Sequence, residues 1–338
     1  MKFPTVKKIL GWSVLTVLVL TLLSAAVVHL QINRAWGEYV AEVDTAPFER
    51  PQQALAIVNA QVLAVDGRSM RAGQTVLVDQ DRIVAVGAGI DIPDNFQVID
   101  GQGKFVIPGL TDSHVHLWQS PNDLLLYLAN GVTHVRELNG SAEHLQWRAD
   151  IDAGRPGPDL FVATRRHNSA TWLPGLFQRW AAKVNPVTPG QDVSAAVRAI
   201  KTEGYDAIKL YTQLSPAHFA AFNAAAVEHD MPLLGHIPVQ VSLQEIWASN
   251  MHELAHVEEL VKALDREFGG YTRDTTDEFL AFVTERSAEL MRHLSEQQIA
   301  VVSTLALMEN LAPQKLDVAQ ALQSVPVAYV KPGIAEGL

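Results

Sequence analysis

Cysteine is absent from this 338-residue chain. That excludes a disulfide framework, thiolate metal ligands, a cysteine nucleophile and a lipidated cysteine, and it leaves any metal ion to histidine, carboxylate or modified lysine. A positive excess is missing too: 26 Lys and Arg stand against 37 Asp and Glu, a formal net charge of −11. A surface that tracks phosphates needs clustered positive charge, so a general nucleic-acid binder is excluded. Neither a G-x-S-x-G elbow nor a G-x-x-x-x-G-K-[ST] loop occurs, which removes the usual signatures of serine-triad and phosphate-loop chemistry. What is present is apolar. With 48% hydrophobic and 19% charged residues, a packed core is expected rather than a disordered chain.

The apolar character is concentrated first at the N-terminus. Lys2, Lys7 and Lys8 precede an uncharged run from Ile9 to Leu30, long enough at about 1.5 Å per residue to span the roughly 30 Å hydrocarbon core of a bilayer. Its lysines lie before it and the acidic bulk after it, so the positive-inside rule puts the start in the cytoplasm and everything past Trp36 outside, periplasmic or extracellular. A cleaved signal peptide, with Ser24-Ala25-Ala26 near the cleavage point and a secreted product, is the competing reading. The apolar run is longer than the usual h-region, which favours an uncleaved anchor.

Residues 37–53 carry charge and two prolines without sustained periodicity, as a linker does. From Ala54 to residue 107, strand-like runs alternate with DGRSMRAG, GIDIPDN and DGQGK turns, and VLVDQDRIVAV folds back around Asp79-Gln80-Asp81 as a hairpin signal. From Pro108 onward, LTDSHVHL, VTHVREL, DLFVATR, DAIKLYT, PLLGHIP, HELAHVEE and IAVVSTL read as strands separated mostly by helical patterns. That βαβα alternation predicts a parallel sheet, open or closed into a barrel. The resulting division is 1–36 anchor, 37–53 linker, 54–107 β-module and 108–338 barrel.

Chemistry concentrates on these strands. His114 and His116 stand two apart, so both imidazoles project from one face of an extended strand, which supplies half of a metal site. Taken alone, this pair is equally well read as ordinary buried histidines. Lys209 between Ile208 and Leu210, His236 at the end of PLLGHIP and His256 in HELAHVEE each sit on a separate strand unit. A buried ammonium loses its hydration, so Lys209 needs something to neutralise it.

The ordered segments PGLTDSHVH, IKLY, GHIP and LAHVEE resemble the amidohydrolase superfamily, in the binuclear-metal branch near imidazolonepropionase-like and prolidase-like enzymes, over Ala54 to Leu307. The resemblance implies an α/β fold: a (β/α)8 TIM-type barrel, with a small β-sandwich assembled from the flanking segments. It implies that His114 and His116 bind the more buried zinc and that His236 and His256 bind the outer one. Lys209, carbamylated by carbon dioxide, would bridge the two divalent metal ions. The implied activity is hydrolysis of a C–N bond, in an amide, a cyclic amide or a peptide-like substrate that is a small molecule or short peptide, through a metal-activated hydroxide. Tyr211, two residues beyond Lys209, is carried as a substrate-binding candidate. Trp118 and Glu258, at the same spacing beyond His116 and His256, read at least as well as rim packing or solvated charge.

The pattern departs from that family at its end. The resemblance implies an aspartate closing the eighth strand, yet Asp265, Asp274, Asp277 and Asp317 all lie in polar or helix-patterned stretches. The catalytic residue is therefore unassigned. Seven strand units in a stretch shorter than the roughly 250 residues of a typical barrel suggest a partial sequence of a longer enzyme. Two other functions stay open: an inactive membrane-anchored metal-binding or interaction domain, and a mononuclear deaminase. His134, Arg136 and His167 are weaker substrate-contact candidates. His144, His218, His229 and His293 are expected at the surface.

Overall fold

The structure, a computed structural model, describes residues 6–37, 41–49, 53–318, 320 and 323. Helix α1 (Val6–Trp36) contains the uncharged run, and its Gly11–Trp36 portion has a mean hydropathy of 2.3 with none of its most apolar stretch buried. By length and composition this helix fits a membrane anchor and a signal sequence alike. Lys2 lies outside the described residues, as do 38–40 and 50–52 of the predicted linker. The described remainder is tied to the folded part. Asn122 accepts from the Val43 N–H at 2.8 Å and donates to the Ala41 carbonyl at 2.9 Å.

Five strands follow: β1 (Leu55–Leu63), β2 (Met70–Asp79), β3 (Arg82–Gly87), β4 (Gln97–Asp100) and β5 (Phe105–Val106). They form one mixed sheet in the order β3-β2-β1-β4, with β5 also on β1. The predicted hairpin is β2–β3, turning at Gln80 and Asp81 with φ of +49° and +61°, the left-handed backbone that matches strand twist in a two-residue turn. Among the described residues the module is this single sheet.

The parallel part alternates β6 (Leu110–Val115), α2 (Asp123–Ala129), β7 (Val132–Gly140), α3 (Ala142–Asp152), β8 (Asp159–Thr164), β9 (His167–Ser169), α4 (Trp172–Ala181), β10 (Asn185–Val187), α5 (Val193–Glu203), β11 (Ile208–Leu210), α6 (Pro216–His229), β12 (Leu233–Gly235), α7 (Leu243–Trp247), β13 (Met251–Leu254), α8 (Glu258–Phe268), α9 (Thr276–Glu296), β14 (Ala300–Val301) and α10 (Leu305–Leu316). Local chemistry sets the ends of these helices. Asp192 caps α5 by accepting from the Ala195 N–H, and Gly204 closes it in the left-handed region. Ser215 and Pro216 start α6, and Ser242 and Glu245 form a capping box on α7.

β6-β7-β8 and β11-β12-β13-β14 are parallel ladders. The parallel bridge Ala163↔Ala207 joins them into one arc of seven strands. Every strand read from the alternation lies on this arc. β9 and β10 continue beyond β8 and pair beside β11, a short extension that the apolar pattern did not signal. Among the described residues no ladder joins β14 to β6. Apolar side chains of α5, α6, α8 and α9 pack against β11–β13, with Phe222, Leu233, Ile246 and Leu254 fully buried, a burial of roughly 1.5–3 kcal/mol for each large side chain.

Gly235 is a tight point of this framework. Its φ is +133°, and a Cβ there would stand 2.2 Å from the Leu210 carbonyl oxygen and 2.9 Å from the Leu210 nitrogen. Neither backbone atom can yield, and only glycine adopts this conformation without strain. Gly235→Ala is expected to destabilise the fold by more than about 2 kcal/mol in urea unfolding of the full chain. A loss under about 0.5 kcal/mol would show that the strand pair accommodates a side chain.

Candidate active site

The seven strands run with their C-terminal ends on one side, and the chemistry-bearing residues cluster there, as barrel sites do. His114 sits near the end of β6 and His116 just beyond it, with ring centroids 5.1 Å apart and planes perpendicular. His256 follows β13 and lies 4.5 Å from His114 and 4.9 Å from His236, ring to ring. His236 follows β12, held in line by its N–H to the Leu210 carbonyl at 3.1 Å. Lys209, at the middle of β11, is 1% exposed, and its charge acts on His114, His236 and His256 alike. The five residues picked out from the sequence are therefore neighbours in space.

How the imidazoles are held defines what they can do. His114 donates from Nδ1 to the Ala255 carbonyl at 3.1 Å. His236 donates from Nδ1 to Glu259 Oε1 at 2.9 Å. The His116 Nδ1 faces Glu137 Oε1 at 3.5 Å. His256 Nδ1 meets the Thr304 hydroxyl at 2.9 Å, and because that hydroxyl donates to the Ser303 carbonyl it must accept from the imidazole. A carbonyl, two carboxylates and a committed hydroxyl can only accept, so all four rings carry their proton on Nδ1. Each Nε2 is left with its lone pair, the state in which histidine ligates a metal.

Electrostatics favour the neutral form of three of these rings, His114, His236 and His256. Burial, followed by the charge of Lys209, lowers His114 from 6.5 to about 2. Burial, followed by His236 and Lys209, lowers His256 to about 4. Burial lowers His236 too, against the pull of Glu259. Glu259 stays ionised: burial alone would raise it, but its contacts with His236 and Lys262 hold it at about 2. Lys209 is pushed from 10.5 to about 7, chiefly by burial and against the pull of Glu253. Its Nζ is buried with no hydrogen-bond partner. A substantial unprotonated fraction near neutral pH is the nucleophilic form of an amine, the form that adds to carbon dioxide.

These observations bear on a divalent metal. Among the described residues no group of three or more His, Asp or Glu side chains is set around a common point to hold an ion; the rings instead meet tilted or edge to face. The donor chemistry fits nonetheless, with four imidazoles, each tethered through Nδ1, grouped about an orphaned amine.

Two carboxylates central to this arrangement were not picked out from the sequence. Glu137, fully buried on β7, accepts from the Leu117 and Asn139 N–H groups besides facing His116. Glu259, 1% exposed, accepts from the Ile237 N–H at 3.1 Å and from Lys262 Nζ at 3.0 Å as well as from His236. A signal existed for Glu137, an acid two residues beyond Val135 and so on the same face of β7. Glu259 reads in sequence as an ordinary acid of a first helical turn.

The remaining candidates divide. Tyr211 lies beside the cluster, its ring 4.5 Å from that of His236 and covered on another side by the Arg166 guanidinium at 4.8 Å. Arg136 is committed elsewhere: it pairs with Glu253 at 2.6 Å and lies over Phe161. His134, two residues earlier on β7, is toward the opposite end from the cluster. His167 is buried and donates from Nδ1 to the Lys209 carbonyl. Glu258 opens α8 and pairs with Lys262, a partly solvated charge. Surface placement of His144 is overturned. It is 2% exposed, takes the Ser141 N–H on Nδ1 and donates from Nε2 to the Trp118 carbonyl at 2.6 Å.

No family model matches the chain. A 42-residue segment is 52% identical to a dihydroorotase of Mycobacterium leprae, covering 12% of this chain and 10% of that protein. A 53-residue segment is 42% identical to an imidazolonepropionase of Vibrio cholerae, covering 16% and 13%. The chain thus spans only a small part of the length of these relatives in either match. Among solved structures, the crystal structure of an amidohydrolase superposes with a TM-score of 0.59 at 19% identity, over 84% of this chain and 73% of that one. That likeness concerns the fold, and it fits a TIM-type arrangement of the parallel strands. Together the similarities support the amidohydrolase superfamily.

The orphaned amine yields a prediction of its own. Lys209→Met replaces a desolvated ammonium by an apolar chain of similar length, and should stabilise the metal-free protein by about 1–3 kcal/mol in urea unfolding. Destabilisation of that size would mean that the amine has a buried partner.

Proposed function

We propose that the chain is a metal-dependent hydrolase of the amidohydrolase superfamily that cleaves a C–N bond in an amide, a cyclic amide or a short peptide. The single observation that carries this reading is the set of four Nε2 lone pairs grouped around the unpartnered amine of Lys209. His114 and His116 would hold one divalent cation and His236 and His256 a second, and Lys209, as a carbamate, would serve both. When bound, such cations lower the pKa of water and polarise a carbonyl oxygen. Glu137 and Glu259 fix the tautomer and aim of His116 and His236, and the Ala255 carbonyl and Thr304 do the same for His114 and His256. Tyr211 lines the space in front of His236 and contacts substrate.

In the same reading, residues 1–36 anchor the protein by one membrane pass, 37–53 link, 54–107 form the β-module and 108–338 the catalytic barrel outside the cytoplasm. The uncleaved anchor is supported by its continuity with the domain, since the C-terminal turns of α1 are packed against barrel loops. The Trp36 carbonyl accepts from the Gln119 N–H at 2.9 Å, and Asn33 is buried.

The test is metal analysis and hydrolysis of a panel of dipeptides and cyclic amides by the full chain purified with zinc and bicarbonate. Two metal ions per chain are expected, together with a loss of kcat/KM on the order of 10³-fold in Lys209→Ala. Unchanged hydrolysis in that variant overturns the bridging role, and one ion per chain supports a mononuclear deaminase instead. Glu259→Gln should keep the far-UV spectrum of the parent while weakening metal binding by about 10–100-fold. Equal affinity would remove Glu259 from the support of His236.

A further inference from the structure

Helix α4 carries an apolar stripe of which four large side chains are left exposed among the described residues. Trp172, Leu173, Leu176 and Phe177 are 71%, 67%, 48% and 63% exposed. Successive residues advance about 100° around a helix, so these four and Trp180 fall on one face. The opposite face is seated: a Cβ on Gly175 would stand 3.0 Å from Pro186, so α4 lies close on β10. A helix of 10 residues with one face fixed and four large apolar side chains outward is poorly explained by water on that side.

The neighbour of this stripe says what covers it. Trp180, central on the apolar face, donates from Nε1 to His29 Nδ1 at 2.9 Å, and Lys183 donates to Asn33 at 3.3 Å. Both partners belong to α1, at the point where its uncharged run ends with Leu30. Tryptophan at that depth is where interfacial aromatic belts form. Charge agrees: from Leu160 to Gln191 the sequence holds Arg165, Arg166, Arg179 and Lys183 with no Asp or Glu, within a chain of net charge −11. An amphipathic helix with flanking basic residues lies in the headgroup plane with its apolar face down. α4 also follows β9, at the end of the strands where His116 and Tyr211 lie.

We propose that α4 embeds its apolar face in the boundary of the same bilayer that α1 crosses, holding the mouth of the barrel against the membrane. This rests on reading α1 as an uncleaved anchor, and the two readings can fail separately.

Because the chain has no cysteine, single substitutions Leu20→Cys, Leu173→Cys, Phe177→Cys and Arg198→Cys each accept one bimane label. The full-length variants are placed in phosphatidylcholine vesicles containing phosphatidylglycerol, with and without brominated acyl chains. The labels at positions 20, 173 and 177 are expected to lose about half or more of their emission to brominated lipid, and the one at 198, on the exposed side of α5, to lose none. Quenching at 20 without quenching at 173 and 177 overturns the proposal and leaves the anchor intact. Blue-shifted but unquenched emission at 173 and 177 means a protein surface, such as a second copy, covers the stripe, and also overturns it. No quenching at 20 removes the anchor, and the proposal with it.

Discussion

The arrangement depends on one amine kept out of water. Lys209 lies in a strand whose flanking residues, Ile208 and Leu210, are fully buried, so its Nζ is held among the parallel strands with no hydrogen bond. Three carboxylates are near enough to feel its charge, and none of them bonds it. Glu253 is paired with Arg136 through Oε2, while its Oε1 is buried with no hydrogen-bond partner. Glu137 takes two backbone N–H groups and faces His116. Glu259 takes His236, the Ile237 N–H and Lys262. Negative charge is thus spent on orienting imidazoles and pairing cations, and the amine is left with a depressed pKa rather than a partner. A site organised only for stability would have used one of these acids to satisfy the lysine, since a buried unsatisfied group costs more than a made hydrogen bond returns.

The backbone contributes by ending strands abruptly where side chains must turn inward. Gly235 allows β12 to approach β11 at contact distance directly before His236. At the mouth, Trp118 and Thr304 both adopt left-handed backbone, with φ of +51° in each. Neither is glycine, so each position stores strain that its surroundings must offset. Trp118 stacks on His116 at 4.9 Å and on Trp36 at 4.1 Å, and Thr304 accepts from His256. Both of these strained residues touch the ring cluster from outside.

What the sequence made legible follows from periodicity. The parallel strands were readable because each joins an apolar run to turn residues, and the histidines and lysine were readable because they interrupt those runs at strand ends. Tertiary partners were not. Glu259 and His144 both sit in the first turn of a helix, where polar residues are common for local reasons, and only the folded chain shows that one reaches back to His236 and the other to the Trp118 carbonyl. Arg136 was legible as an inward residue but not as the partner of Glu253, which lies 117 positions away. The β9–β10 pair escaped because His167-Asn168-Ser169 and Asn185-Pro186-Val187 lack the apolar run that marks β11 and β12.

That last omission matters for how α1 meets the parallel strands. The segment between β9 and β10 is α4, and α1 meets the rest of the chain through rings: His29 to Trp180 of α4, and Trp36 to Trp118, which in turn lies against His116. The exit of α1 is therefore separated from the histidine cluster by a single indole. Aromatic rings suit such a position because they bury large areas with few rotatable bonds, so the joint is stiff at a small entropic cost. A flexible tether would let the parallel strands turn freely relative to α1, whereas a ring-to-ring joint with a buried Asn33 beside it fixes one orientation. The position of α1 relative to the histidine cluster is then a property of packing, set by the same Trp118 whose strained backbone places it against His116.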